Sequence, residues 1–167
     1  KQEVKMEIIQ ATRYELVEVL YLLQVCVYKL TSGYIYWDPM IHHIGDEIDK
    51  NNVFIIKTNH ISVGLAVLST NPNKDSHDIN WTEKNKALQI ERLIIHPKWI
   101  GKGIENELIR FTEQFAKENG FDSIRIKVFA NNKPVINLTN TLSYKKAGEA
   151  HLPLQFVPFI GLEKRID

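Results

Sequence analysis

Between Ala87 and Phe129 the period of the apolar pattern changes twice, and this restricts the fold more than any other feature of the chain. Ala87 to His96 reads as a strand ended by Pro97. From about Ile104 to Glu118 the residues Ile104, Leu108, Phe111 and Phe115 recur four, three and four positions apart, as on one helix face. Asn119-Gly120 stops that helix, and Ser123 to Phe129 reads as a strand again. A strand, helix and strand of one sheet are joined by a right-handed crossover, so the two strands are expected to be parallel.

The flanking segments add to this unit. Met6 to Gln10 reads as a strand. Thr12-Arg13-Tyr14-Glu15 is a capping box opening a helix with Leu16, Leu20, Leu23 and Val27 on one stripe. Asp38-Pro39 caps and starts a second helix carrying Met40, Ile44 and Ile48. Strands at Asn52 to Thr58 and Ile61 to Thr70 flank a hairpin turn at Asn59-His60. Asn71 to Lys86 reads as a long polar loop. Pro134 begins a short helix with Val135, Leu138 and Leu142, and two strands near Lys145 to Leu152 and Val157 to Lys164 complete the chain. The expected architecture is a single α/β (α+β) domain over residues 1–167, a mixed central sheet of six to seven strands with helices on both faces.

At 167 residues the chain suits one ordinary domain. A net charge of +1 gives no electrostatic case for nucleic acid. No apolar run reaches the ~18 residues of a membrane span, and the N-terminus lacks a signal core, so a cytoplasmic protein is expected. The single Cys26 lies in an apolar helical run and reads as a buried small hydrophobe. The six histidines, His42, His43, His60, His77, His96 and His151, show no zinc-ligand spacing, so no metal is expected. No Gly-x-Ser-x-Gly elbow occurs.

Gly101-Lys102-Gly103 precedes the crossover helix. A helix start leaves backbone N–H groups without partners and carries a positive dipole, and glycines let a backbone approach an anion closely. Phosphate is a natural occupant of such a place. A tight turn before a helix explains the same residues, and the spacing is neither that of a P-loop nor of a dinucleotide fingerprint.

In context, Leu93-Ile94-Ile95-His96-Pro97, three residues, Gly-Lys-Gly-Ile and an amphipathic helix resemble the acyl-CoA site of the GNAT superfamily of N-acyltransferases. The segment NNKPVINLTNTLSYKKAGE at residues 131–149 resembles that family's Asn-x-x-Ala-x-x-Leu-Tyr-x-x-x-Gly-Phe motif followed by a Lys-x-x-Gly-Glu strand. The resemblance implies acetyl-CoA as co-substrate, an amine as acceptor, and a homodimer among the partners. It implies that the pantetheine arm lies along Leu93, Ile94 and Ile95, between parallel strands that splay apart. The diphosphate then meets the backbone of Ile100, Gly101, Lys102, Gly103, Ile104 and Glu105, with Asn132 near the arm.

The chain departs from the family pattern at three places. Ile100 stands where the loop has Gln or Arg, which removes a donor worth ~1.5–3 kcal/mol if charge-assisted. Glu105 stands where a small residue is usual and competes with a diphosphate. Thr139 occupies the position of the usual tyrosine acid, with Ser143 and Tyr144 following in place of Gly-Phe. Gln89, Glu91, Leu93 and Ile95 alternate onto one strand face. The family often has a carboxylate at the position of Gln89, and Glu91 is the nearest carboxylate, hence the candidate base. Tyr34, Tyr36, Trp37 and Asp38 form an aromatic loop in the region that borders the family's acceptor site, where cation–π and charge contacts could hold an amine; core packing and helix capping explain them equally. Trp81 in the long loop is a candidate lid residue. The sequence thus supports an N-acetyltransferase acting in a ternary complex, with a GNAT-fold protein that binds a ligand or partner without catalysis as the alternative.

Overall fold

The computed structural model describes residues 4–30, 40–70, 79–82, 86–151 and 157–167, with side chains omitted at 27–30 and 40–42. The chain divides into two compact units, residues 1–68 with 92–109, and residues 69–91 with 110–167. Its regular elements are β1 (Met6–Gln10), α1 (Leu16–Leu30), α2 (Met40–Asp49), β2 (Val53–Thr58), β3 (Ile61–Ser69), β4 (Ala87–Ile95), α3 (Ile104–Glu118), β5 (Ser123–Phe129), α4 (Lys133–Thr141), β6 (Lys145–Ala150) and β7 (Phe159–Arg165). The seven strands make one mixed sheet in the order β1-β2-β3-β4-β5-β7-β6.

In the first unit the Thr12 capping box forms as the sequence predicts. The Thr12 amide donates to Glu15 Oε2 at 2.8 Å, and the Tyr14 amide donates to the Thr12 hydroxyl at 3.3 Å. The hydrogen bonds from Thr12 hold the Glu15 carboxyl below the usual carboxylate range. β2 and β3 form an antiparallel hairpin whose turn residues, Asn59 and His60, both have positive φ (47° and 68°), as a tight two-residue turn requires. The α2 stripe buries Ile44 and Ile48, but the buried face of α1 is Val19, Leu22 and Leu23, with Leu16 and Leu20 of the expected stripe only partly buried at its margin; together these residues pack against Val53, Ile55, Leu65 and Val67 and give this unit its own core. The expected cap of α2 at Asp38-Pro39 lies outside the described residues.

In the second unit the two strands of the predicted crossover are parallel. The ladder between β4 and β5 runs from Ala87↔Ser123 to Ile90↔Ile126, and residues 91–95 of β4 continue beyond it. β5 pairs antiparallel with β7, and β7 with β6, so the last strand lies between two strands that precede it in the chain. Gly161 in β7 is required by packing: a Cβ there would stand 2.7 Å from Ile79 and 3.0 Å from Trp81.

Candidate functional site

The glycine loop lies wholly in the first unit. Pro97–Trp99 forms one 3₁₀ turn capped by His96, whose Nδ1 accepts the Lys98 amide at 3.1 Å, while the His96 amide donates to Val63 O at 2.8 Å. The start of α3 is pinned by Ile104, Leu108 and Ile109, all fully buried. Gly64 in β3 allows this seating. A Cβ there would meet Ile94 O at 3.0 Å and the Ile104 and Ile56 side chains at 3.1 Å.

Gly101 and Gly103 have φ of +76° and +87°, a region L side chains rarely adopt, and a Cβ built on either meets nothing within 4 Å. The Glu107 amide closes the first helical turn on Gly103 O at 3.1 Å. Among the described residues, the amides of Gly103, Ile104 and Glu105 donate to no group, as helix geometry dictates for a first turn. The backbone at this loop is therefore open and carries unused donors, which fits a diphosphate. Glu105 comes back toward the loop, its Oε1 accepting the Gly101 amide at 3.5 Å, the outer limit of a hydrogen bond. Lys102 is exposed and its ammonium lies 5.1 Å from the Trp99 ring centre. Ile100 is 54% exposed. Cys26 donates to Ile95 O at 3.3 Å, and burial raises its thiol pKa to about 11, so it offers no thiolate near neutrality.

The face of β4 that carries Gln89 and Glu91 continues across the second unit. Cross-strand register sets Gln89 beside Arg125, and Arg125 beside Glu163. Residues paired in this way project to the same face, so they form a polar row where a sheet more often buries hydrocarbon. Gln89, Arg125 and Glu163 are buried. Arg125 stacks at 4.9 Å over the Trp81 ring, and Glu163 accepts the Thr82 amide at 2.9 Å and also its hydroxyl. Burial lowers the Arg125 pKa and the neighbouring Glu163 opposes that shift. Gln89 Oε1 and Ser123 Oγ are buried without a hydrogen-bond partner among the described residues. Glu91 is half-buried on the same face.

Within the sequence, residues 17–144 match the family model described as the Acetyltransferase (GNAT) family. The chain belongs to the GNAT acetyltransferase family. Solved structures agree in fold. A GNAT-family acetyltransferase from Listeria monocytogenes is similar at 17% identity with a TM-score of 0.78, over 97% of this chain and 95% of that one. An N-acetyltransferase from Thermoplasma acidophilum in complex with coenzyme A is similar at 16% identity with a TM-score of 0.70, over 96% of this chain and 99% of that one. A protein from Salmonella typhimurium with its cofactor acetyl-CoA is similar at 12% identity with a TM-score of 0.74, over 97% of this chain and 94% of that one. No curated protein sequence matches the chain.

The structure gives several predicted site residues other tasks. Thr139 is fully buried within α4, and its hydroxyl donates to Val135 O (3.0 Å) and Ile136 O (2.9 Å). A proton held between helix carbonyls is not available to a departing thiolate. Tyr144 is buried too, and its hydroxyl donates to Glu113 Oε1 at 3.1 Å, with Lys164 on the same carboxylate at 2.9 Å. Burial, reinforced by Glu113, raises the Tyr144 pKa far above the usual tyrosine value. Asn132 caps α4, its side chain accepting the Val135 amide at 3.5 Å. Trp81 is buried under Arg125 and is not an exposed lid. Ser143 takes φ +68°, a left-handed conformation that favours glycine. Tyr34, Tyr36, Trp37 and Asp38 lie outside the described residues. Among the described residues no His, Cys, Asp and Glu gather into a metal-binding group, and no helix is long and apolar enough to cross a membrane.

Arg125, Glu163, Thr82 and Ser123 escaped the sequence reading. The alternation Ser123, Arg125, Lys127 within an apolar strand was the available signal, but Glu163 joins it only because β7 pairs with β5. If Thr139 has the structural task described, Thr139→Ala costs about 1–2 kcal/mol of stability through the lost hydrogen bonds and methyl. Turnover per folded molecule should stay within about twofold of wild type. Thermal unfolding together with active-site-normalised kinetics checks both.

Proposed function

We propose that the protein is an N-acetyltransferase that moves the acetyl group of acetyl-CoA to a primary amine by direct attack in a ternary complex. The observation that carries this reading is the open backbone at Gly101–Glu105, where positive-φ glycines and the undonated amides of Gly103, Ile104 and Glu105 can receive a diphosphate. Leu93, Ile94 and Ile95 then offer backbone groups to the pantetheine arm, and a backbone N–H of that strand steadies the oxyanion.

Acetyl-CoA supplies an acetyl group activated as a thioester. The amine nitrogen forms a bond to the carbonyl carbon, and the carbon–sulfur bond breaks with its electron pair leaving on sulfur. Glu91, on the same strand face as Gln89, takes the amine proton directly or through water. The leaving thiol resembles cysteine, with a pKa near 8.5, so a thiolate departs without a dedicated acid. Much of the rate then comes from positioning. A cytoplasmic setting, a homodimer and a single domain over residues 1–167 belong to this reading.

Calorimetric titration with acetyl-CoA, followed by assay of CoA release with polyamines, amino acids and peptides, tests it. Binding with turnover is expected. The contact from Glu105 to the Gly101 amide favours the second reading, a GNAT-fold binding protein without catalysis; binding without turnover would select it, and neither would remove both. Because Glu105 places a carboxylate against the loop, Glu105→Gln is expected to tighten acetyl-CoA binding about tenfold, the scale of one charge-linked contact. Unchanged or weaker affinity in the same titration would show that the carboxylate does not compete.

A further inference from the structure

Resting on the transferase reading with Glu91 as its base, we propose that the acceptor is an apolar α-amino acid, its carboxylate held by the Lys127 ammonium and its side chain laid against the Phe129–Phe159 pair. The residues concerned all belong to the second unit. Lys127 is half-buried, yet it carries no ion pair among the described residues. Register explains why. Its cross-strand neighbour on β7 is Gly161, which has no side chain to offer. On its other side the β4–β5 ladder has already ended, at Ile90↔Ile126. Alternation puts Lys127 on the face of Arg125 and Glu91 on the face of Gln89, and these are one face because Gln89 and Arg125 are paired.

Along this face burial falls where the pairing of β4 and β5 ends. Gln89, Arg125 and Glu163 are buried at one end, with Trp81 stacked on Arg125. Glu91, Lys127, Phe129 and Phe159 are half-buried at the other. Phe129 and Phe159 pair in register, so their rings share the Lys127 face, and they stack with centres 4.1 Å apart. The open end thus presents a carboxylate, a cation and an aromatic surface. The two charged residues follow directly on the last paired positions of neighbouring strands, which stand ~4.8 Å apart before they separate. A molecule that bears its amine and its carboxylate on one carbon fits between them, the amine meeting Glu91 and the carboxylate meeting Lys127. A partly desolvated ammonium without a counter-ion gains most from a carboxylate, since a charge-assisted bond replaces the water it has lost. The same ammonium repels a polyamine. The ring pair favours an apolar side chain on the acceptor.

The test is steady-state kinetics with phenylalanine, phenethylamine (the same amine without the carboxylate) and spermidine on wild type, Lys127→Met and Lys127→Arg. Wild type is expected to favour phenylalanine over phenethylamine in kcat/KM by roughly tenfold or more, the scale of one charge-assisted contact, and to use spermidine least. Lys127→Met should erase the preference, chiefly by raising KM for phenylalanine, and Lys127→Arg should keep most of it. The acceptors differ in basicity, but equally so for every variant, so the change in their ratio reports on Lys127. Phenethylamine or spermidine used as well as phenylalanine by wild type, or a ratio unchanged in Lys127→Met, would overturn the amino-acid site and leave the transferase reading standing. CoA release with no amine at all would overturn that reading itself; calorimetric titration of phenylalanine then decides the site, which weaker binding by Lys127→Met than by wild type supports and equal or absent binding refutes. Should Lys127→Met fail to fold, Lys127→Gln takes its place with the same expected loss.

Discussion

Glu91→Gln is expected to lower kcat by about 10²–10⁴-fold, the range typical of losing a positioned general base. The substitution keeps shape and hydrogen-bonding capacity and removes the charge, so acetyl-CoA affinity should hardly move. Amine acceptors are mostly protonated at neutral pH, and only the free base attacks. Without Glu91 the rate should follow the small neutral fraction of the amine, so raising pH or using a less basic amine should recover part of the loss. Glu91→Asp should recover part of it too. Gln89, buried and uncharged on the same face, cannot replace the base. Steady-state kinetics from pH 6 to pH 9 with one alkyl amine and one weakly basic amine would decide. Turnover within threefold of wild type would remove Glu91 from the chemistry.

Gly103→Val should abolish measurable acetyl-CoA binding, a weakening of at least about 100-fold. The estimate combines the loss of one or two charge-assisted amide contacts. Gly103 sits at φ +87°, which a β-branched residue resists, and its amide belongs to the unused set at the start of α3. Strain alone could also destabilise the fold, so Gly120→Val serves as control. Gly120 has φ +71° and equally open surroundings, but it lies at the other end of α3. Both variants should lose a similar amount of stability, of order 1–2 kcal/mol. Only Gly103→Val should lose binding. Parallel loss of affinity in the two would mean that the loop backbone has no special part in recognition.

Much of the fold could be read in advance because its signals are local. The Thr12–Glu15 box, the Asn59-His60 turn, the stripe on α3 and its Asn119-Gly120 stop each depend on residues a few positions apart, and each element lies within a residue or two of where the pattern put it. The glycine loop was visible for the same reason, since its donors come from backbone geometry that glycine and a helix start impose together. The candidate catalytic side chains were harder. Thr139 and Tyr144 align with motif positions, yet their hydroxyls are committed to the Val135 and Ile136 carbonyls and to Glu113, contacts that no spacing reveals.

By itself the sequence determined the succession of strands and helices, the parallel sense of β4 and β5, and the tight glycine loop between them, all consequences of short-range sterics and hydrogen bonding. Only the tertiary structure decided that β7 pairs with β5, which lines up Gln89, Arg125 and Glu163 on one face, and that Glu105 leans toward Gly101. The physical reason is that strand neighbours and side-chain directions are chosen by long-range packing, where many placements satisfy the same local pattern and burial of the whole core selects among them.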